Sequence, residues 1–368
     1  MNNNKMRIMV IDDSVTNLNI ARRALEQQYE VLLLPSGEKA MKLFEHITPD
    51  LILLDVDMPD MNGFDVIKAI KSSPYAVHSV PVIFVTAKDD SASEFDGLNL
   101  GAVDYITKPF SFPLLLKRIE LHLQLQQYNN HLEKMVDEKT QVISDLQYSI
   151  VHVLSDMVER RDGSTGGHLI RTKNYLKVLL KEVKSQRLYE NELRNMEEDL
   201  FIHASQLHDV GKMSIPDSIL LKPGKLSAEE FEVMKTHTVL GEEAIRYAMS
   251  SVQDKKFLEI AASFAGSHHE RWDGSGYPRA LREKQIPIEG RLMAIVDVYD
   301  ALISERPYKK SLPHETAKAI ILDERGSHFD PLLVDVFERV SGAFQKISQE
   351  CTDERPNSLP DGGSNNEL

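Results

Sequence analysis

The chain has 368 residues, 42% hydrophobic and 27% charged, a soluble globular composition; at about 100–200 residues per domain, this length predicts two domains and a connector. A net charge of −14 without a Lys/Arg stripe excludes direct nucleic-acid binding as an expectation, and the single cysteine, Cys351, excludes an intramolecular disulfide and fits a reducing compartment. No apolar run reaches the roughly 18 residues of a membrane span and the opening residues are polar, so no membrane partner and a cytoplasmic location are expected.

From Met6 to about Leu125, short apolar runs (Arg7–Ile11, Val31–Leu34, Leu51–Val56, Pro81–Thr86) alternate with amphipathic stretches such as Val15–Gln27 and Glu38–Glu45. A fifth short strand is expected around Asp104–Thr107. Strand alternating with helix predicts an α/β doubly wound, five-stranded parallel sheet. The unbroken apolar run Leu51–Leu54 fits a strand buried on both faces. From Leu114 to Arg161 the chain has no Pro or Gly, and Leu121, Leu125, Tyr128, Leu132, Met135, Val142 and Leu146 recur at spacings of four and three. That is a heptad seam, with Lys139 at its missing position, and it predicts a linker helix that pairs in a homodimer. A single amphipathic helix packed on its own domain is the alternative.

From Ile150 to Lys346, helical apolar spacing in Tyr175–Val183, Asp199–His208, Glu229–Val239 and Leu292–Leu302 predicts an all-α domain. The polar end, from Ser348 to Leu368, offers too little apolar surface to offset its ordering entropy. The expected organisation is an α/β domain over 1–125, a coiled-coil-like linker over 126–149, a helical domain over 150–346 and a disordered tail over 347–368.

Ligand-binding crevices of open parallel sheets lie beyond the carboxyl ends of the strands, where this sequence places Asp12, Asp13, Asp55, Thr86 and Lys108. Three converging carboxylates repel unless a hard cation lies between them, which suits Mg²⁺. Asp55 can then act as the nucleophile toward a phosphoryl group, with Lys108 and Thr86 holding its oxygens. The acidic pair, Asp55 followed by Met58-Pro59 and Gly63, Thr86-Ala87 and Lys108-Pro109-Phe110 resemble the response-regulator receiver family. That resemblance implies phosphorylation of Asp55 by a sensor histidine kinase, a cis Lys-Pro peptide, and a switch in which Tyr105 moves inward with Thr86.

The second half concentrates His168, His208, Asp209, His237, His268, His269 and Asp297. Singly, a histidine on an apolar helix is usually a packing residue; so many beside helix ends and glycines point to metal ligation. Adjacent residues on a helix point roughly 100° apart, so His208-Asp209 and His268-His269 can splay around an ion pair, with Asp209 the natural bridge. Two ions about 3.5–4 Å apart activate a water and stabilise the oxygens of an in-line phosphoryl displacement. Imidazole with carboxylate suits Fe or Mn, with Zn, Ni or Co also compatible. Lys212, Arg306 and Lys309 supply positive charge for phosphates.

The segments Leu207-His208-Asp209-Val210-Gly211-Lys212, Ile215-Pro216-Asp217, Lys222-Pro223-Gly224, His268-His269-Glu270, Asp273-Gly274-Ser275-Gly276-Tyr277-Pro278 and Arg306-Pro307-Tyr308-Lys309 resemble the HD-GYP family of cyclic di-GMP phosphodiesterases. The resemblance implies metal ligands at the seven His and Asp positions. It implies catalysis through Asp209 and Lys212, and substrate contacts from Gly276, Tyr277, Pro278, Arg306 and Lys309. Tyr277 offers a face on which a base can stack. Ser164 stands where some members carry a glutamate for a third ion, so two ions are expected. Ala280 and Glu283 stand where the family usually shows glycine. The reading is a phosphorylation-controlled hydrolase that opens cyclic di-GMP to pGpG, GMP or both. The alternatives are a scaffold acting through protein binding and an enzyme for another cyclic dinucleotide.

Overall fold

The computed structural model describes residues 5–72, 80–87, 91–162, 167–305 and 311–351. They fall into two compact units, 1–142 and 143–368.

In the first unit, strands β1 (Arg7–Ile11), β2 (Glu30–Leu34), β3 (Leu51–Leu54), β4 (Val82–Thr86) and β5 (Asp104–Thr107) alternate with helices α1 (Val15–Leu25), α2 (Gly37–Phe44), α3 (Gly63–Ser72) and α4 (Ser91–Asn99). Helix α5 (Phe112–Arg161) follows β5. All pairings are parallel, in the order β2-β1-β3-β4-β5. Successive side chains of a strand point to opposite faces, so each apolar run divides between two cores. Met9, Ile11, Ile52, Leu54 and Phe84 pack with Phe44, Val66 and Ile70 on one face. Ile8, Val10, Leu51, Leu53, Ile83 and Val85 pack with Leu18, Leu25, Leu115 and Ile119 on the other. Burying such a side chain contributes about 1.5–3 kcal/mol, which is why both faces need helices. The Ser14 and Ser36 side chains accept from the backbone N–H groups of Asn17 and Lys39 and cap α1 and α2.

Helix α5 is continuous over 50 residues. The expected end of the first domain and the separate linker are therefore stretches of one helix. Every residue from Gln127 to Ile143 is exposed, and so are the seam positions Leu121, Leu125 and Leu146 on either side of that stretch.

The second unit is helical: α6 (His168–Ser185), α7 (Glu190–Leu193), α8 (Glu198–Ala204), α9 (Asp217–Leu220), α10 (Ala228–Met249), α11 (Lys256–Ser267), α12 (Ile288–Ile303), α13 (His314–Asp323) and α14 (Pro331–Glu350). Its core joins Tyr175 and Leu179 of α6, Phe201 of α8, Phe264 of α11, Leu292 and Tyr299 of α12, and Phe337 and Phe344 of α14. The Tyr175 and Phe344 rings stack with centroids 4.6 Å apart. Two expectations change. The helical domain expected to end at residue 346 runs further, because the amphipathic α14 extends to Glu350; residues 352–368, which hold most of the expected disordered tail, lie outside the described ones. The segment Asp199–His208 is not one helix: α8 ends at Ala204, and tight single turns over Ser205–Leu207 and Val210–Ser214 flank His208 and Asp209. A side chain at Gly211 would collide with the backbone of His237 and Gly241, so this turn packs backbone to backbone on α10.

Candidate active site

The sheet's order reverses at β1, and Asp12 and Asp55 lie just beyond the ends of β1 and β3 on either side of that switch point. Carboxylate oxygens of Asp12, Asp13 and Asp55 lie within 4.8 Å of one another. The Lys108 Nζ donates to Asp12 Oδ2 at 2.7 Å and to Asp55 Oδ2 at 2.9 Å. Burial pushes the Asp55 carboxyl up and Asp12 adds repulsion, while Lys108 opposes both. Asp55 Oδ1 is buried without a hydrogen-bond partner among the described residues, the condition a cation relieves. Gly63 must lack a side chain because one would strike the Asp55 carbonyl. Thr86 ends β4, Tyr105 is buried on β5 in register with Phe84, their rings 6.4 Å apart, and the Lys108–Pro109 peptide is cis.

In the second unit, one ligand atom from each of Asp209, His237, His268 and His269 lies within 4.8 Å of the others, and so do those of His168, His208 and Asp209. Asp209 is common to both groups, and its two oxygens face different histidines. Oδ1 is 3.4 Å from His237 Nε2 and 3.7 Å from His268 Nε2, while Oδ2 is 3.4 Å from His208 Nε2. Asp297 lines the same cavity of about 400 Å³, with Oδ1 3.8 Å from His168 Nε2.

The histidine tautomers follow from their neighbours. His208 Nδ1 lies 2.9 Å from the Ser205 carbonyl, His237 Nδ1 2.7 Å from that of Met234, and His268 Nδ1 3.0 Å from that of Phe264. A carbonyl only accepts, so each Nδ1 carries the proton and each Nε2 presents a lone pair to the cavity. Burial and neighbouring imidazoles hold His268 down to about 3, and His269 well below its ordinary value, so both rings are neutral. His208 Nε2 and Asp209 Oδ1 are buried without hydrogen-bond partners among the described residues. Lone pairs crowded this way suit two cations on either side of Asp209.

Other residues set this arrangement. Asp300, one helical turn after Asp297 on α12, accepts from His168 Nδ1 at 2.8 Å and from Arg171 Nε at 2.7 Å. Burial lowers the His168 imidazole, but Asp300, Asp297 and Glu159 outweigh it and lift it to about 9; a cation at Nε2 would take that proton's place. The Lys212 Nζ lies 2.8 Å from both Asp209 Oδ2 and Asp162 Oδ2. Burial raises the Asp209 carboxyl, yet Lys212 and His208 hold it well below the usual range. The Arg161 guanidinium donates to the carbonyls of Lys212, Met213 and Ile215, clamping the turn that follows Asp209. Glu159, Asp162, Arg171 and Asp300 were not singled out from sequence. The i, i+3 spacing of Asp297 and Asp300, and of Glu159 and Asp162, was the available signal.

Tyr277 also lines the cavity, its ring 4.9 Å from that of His269 and 6.2 Å from Phe231, with Lys235 Nζ 5.7 Å from its centroid. Gly276 must lack a side chain, since one would meet the backbone of Glu270 and Arg271, and Tyr277–Pro278 is cis. Ala280 and Glu283 both have positive φ, 53° and 51°, which is why glycine suits those positions. Arg306, Lys309 and Ser164 lie outside the described residues. Among the described residues no helix is long and apolar enough to cross a membrane.

Comparison with known proteins identifies both domains. Residues 8–120 match the response regulator receiver domain and residues 152–333 the HD domain. The chain is 42% identical over 361 residues to a probable cyclic di-GMP phosphodiesterase of Vibrio cholerae, covering 96% of this chain and 82% of that protein. It is 34% identical to a cyclic di-GMP phosphodiesterase of Thermotoga maritima, covering 94% and 91%. It is 32% identical to the cyclic di-GMP phosphodiesterase response regulator RpfG of Xanthomonas campestris, covering 93% and 89%. With both domains matched in order and at nearly full length, the chain belongs to the family of response regulators that join a receiver domain to an HD domain.

Proposed function

We propose that this protein is a cytoplasmic response regulator whose helical unit hydrolyses cyclic di-GMP to pGpG, GMP or both, under control of phosphorylation at Asp55. The observation that carries the reading is Asp209, whose two carboxylate oxygens face separate sets of histidine Nε2 atoms. His168, His208 and Asp297 would hold one divalent ion and His237, His268 and His269 the other, with Asp209 placed to serve both. Two such ions, Fe or Mn in the first instance, supply an activated water and neutralise charge on the phosphodiester.

The residues of the chain do the rest. Lys212 keeps Asp209 ionised and brings a cation to the phosphate oxygens, while Asp162 keeps Lys212 oriented. Tyr277 offers a stacking face for a guanine base, and Gly276 and Pro278 fix the turn that presents it. Arg306 and Lys309 contribute phosphate contacts. Water adds to phosphorus as the P–O3′ bond breaks, and the 3′ oxygen leaves with a proton. In the first unit, Asp12, Asp13 and Asp55 hold Mg²⁺, a sensor histidine kinase is the phosphoryl source, and Thr86, Tyr105 and Lys108 read the phosphorylated state. The exposed heptad seam of α5 pairs with a second copy of the chain.

The test is hydrolysis of cyclic di-GMP, with another cyclic dinucleotide as comparison, by protein loaded with Mn²⁺ or Fe²⁺, beside H208A/D209A. Turnover by wild type and not by the double variant is expected; absence of turnover with any metal, phosphorylated or not, would overturn the reading. Asp55→Asn should abolish the response to a small-molecule phosphodonor while leaving unstimulated turnover in place.

A further inference from the structure

Glu159 lies near the end of α5, at the wall of the cavity that holds His168, His208 and Asp209. Both of its carboxylate oxygens are buried and neither has a hydrogen-bond partner among the described residues. The helix around it is fixed: Ser155 Oγ donates to the Gln206 carbonyl at 2.8 Å, and Arg161 grips the turn beyond Asp209. A carboxylate taken out of water without donors is costly and persists where a cation neutralises it. Its Oε1 is 3.9 Å from His168 Nε2, beyond hydrogen-bond range, and Asp297 Oδ1 is 3.8 Å from the same nitrogen. Two ligand atoms on one ion, at bond lengths of about 2.0–2.2 Å, lie roughly 3–4.3 Å apart, so both separations suit a shared cation.

We infer that Glu159 is a further carboxylate ligand of the ion held by His168 and Asp297, rather than a packing residue of α5. The inference rests on the two-metal reading. It gives that ion a more anionic, oxygen-rich shell than the one held by His237, His268 and His269, so the two sites differ in affinity and in preference for harder ions.

The test uses full-length protein stripped of metal and titrated with Mn²⁺, followed by electron paramagnetic resonance, with melting recorded at each step. Glu159→Gln keeps the shape and removes the charge. The expected result is a loss of about 10–100-fold in affinity at one of the two Mn²⁺ sites, with the other unchanged. Metal-free E159Q should melt no lower than metal-free wild type, because a buried carboxylate without hydrogen-bond donors has gone, and should gain less on adding Mn²⁺. Glu159→Asp, which withdraws the carboxylate by one methylene, should fall between the two. Unaltered affinity at both sites in both variants would overturn the assignment, as would a metal-free E159Q that is destabilised yet binds two Mn²⁺ as wild type does. Wild type without any Mn²⁺-linked shift would instead bring down the two-metal reading on which the inference depends.

Discussion

Replacing Asp300 with asparagine removes one charge that two buried groups share. Arg171 and His168 are both nearly inaccessible, and Asp300 is 1% exposed, so water cannot substitute for the lost carboxylate. Breaking a buried ion pair from one side costs about 3–5 kcal/mol, because the remaining charge stays buried. In a unit of this size each kcal/mol moves the melting temperature by about 2–4 °C, so D300N should melt roughly 6–20 °C lower. The same change frees the His168 ring. Loss of a carboxylate behind a metal-binding histidine typically costs about 10–100-fold in affinity. Burial pushes Asp300 up, but hydrogen bonds from His168 and Arg171 bring it down to about 2. Its folded value is thus depressed below the ordinary one, and its contribution is present above pH about 4 and lost as pH falls toward 2. Scanning fluorimetry with and without Mn²⁺, plus competition with a chelator, reads both effects. A D300N protein that melts within about 2 °C of wild type and keeps its Mn²⁺ affinity would refute the argument.

Three further outcomes follow from other parts of the molecule. Ala280 and Glu283 adopt φ values that penalise a side chain, so A280G and E283G should each stabilise the protein by about 0.5–1 kcal/mol; lower melting in both would place the loop's conformation under some other control. Burial and the nearby Arg271 depress His328 to about 4, so the stability it contributes is present above pH about 6.5 and lost as pH falls toward 4. H328Q should flatten that limb of the stability–pH curve, and an unchanged limb would show that His328 does not set it. The seam predicts a dimer by light scattering, converted to monomer by L132E/M135E; monomeric wild type, with and without phosphorylation, would exclude the pairing.

The first unit was readable because its sheet is buried on both faces. Continuous apolar strands such as Leu51–Leu54, set between amphipathic helices, leave one arrangement in which both faces are covered. Once the strands were in place, Asp12, Asp55 and Lys108 followed, since they stand directly after strand ends. The helical unit was less legible. His208 and Asp209 read as part of a helix because Asp199–His208 has helical apolar spacing. The Gly211 backbone packs closely on α10, the helix ends early, and the tight turns that follow leave His208 Nε2 3.4 Å from Asp209 Oδ2. The boundary in α5 was hidden too, because helical periodicity continues unbroken from the first unit into the second.

The sequence by itself determined the order of elements, the division into an α/β half and a helical half, and the residue types available for phosphoryl and metal chemistry. These are local properties, set by apolar periodicity and by which donors stand next to turns. Only the tertiary structure decided which nitrogen of each histidine faces the cavity, that Asp209 offers one oxygen to each side, and that Glu159 is sealed in without a donor. Those facts depend on partners far apart in the chain, as His168 and Asp300 are at 132 positions, and on water having been excluded from between them.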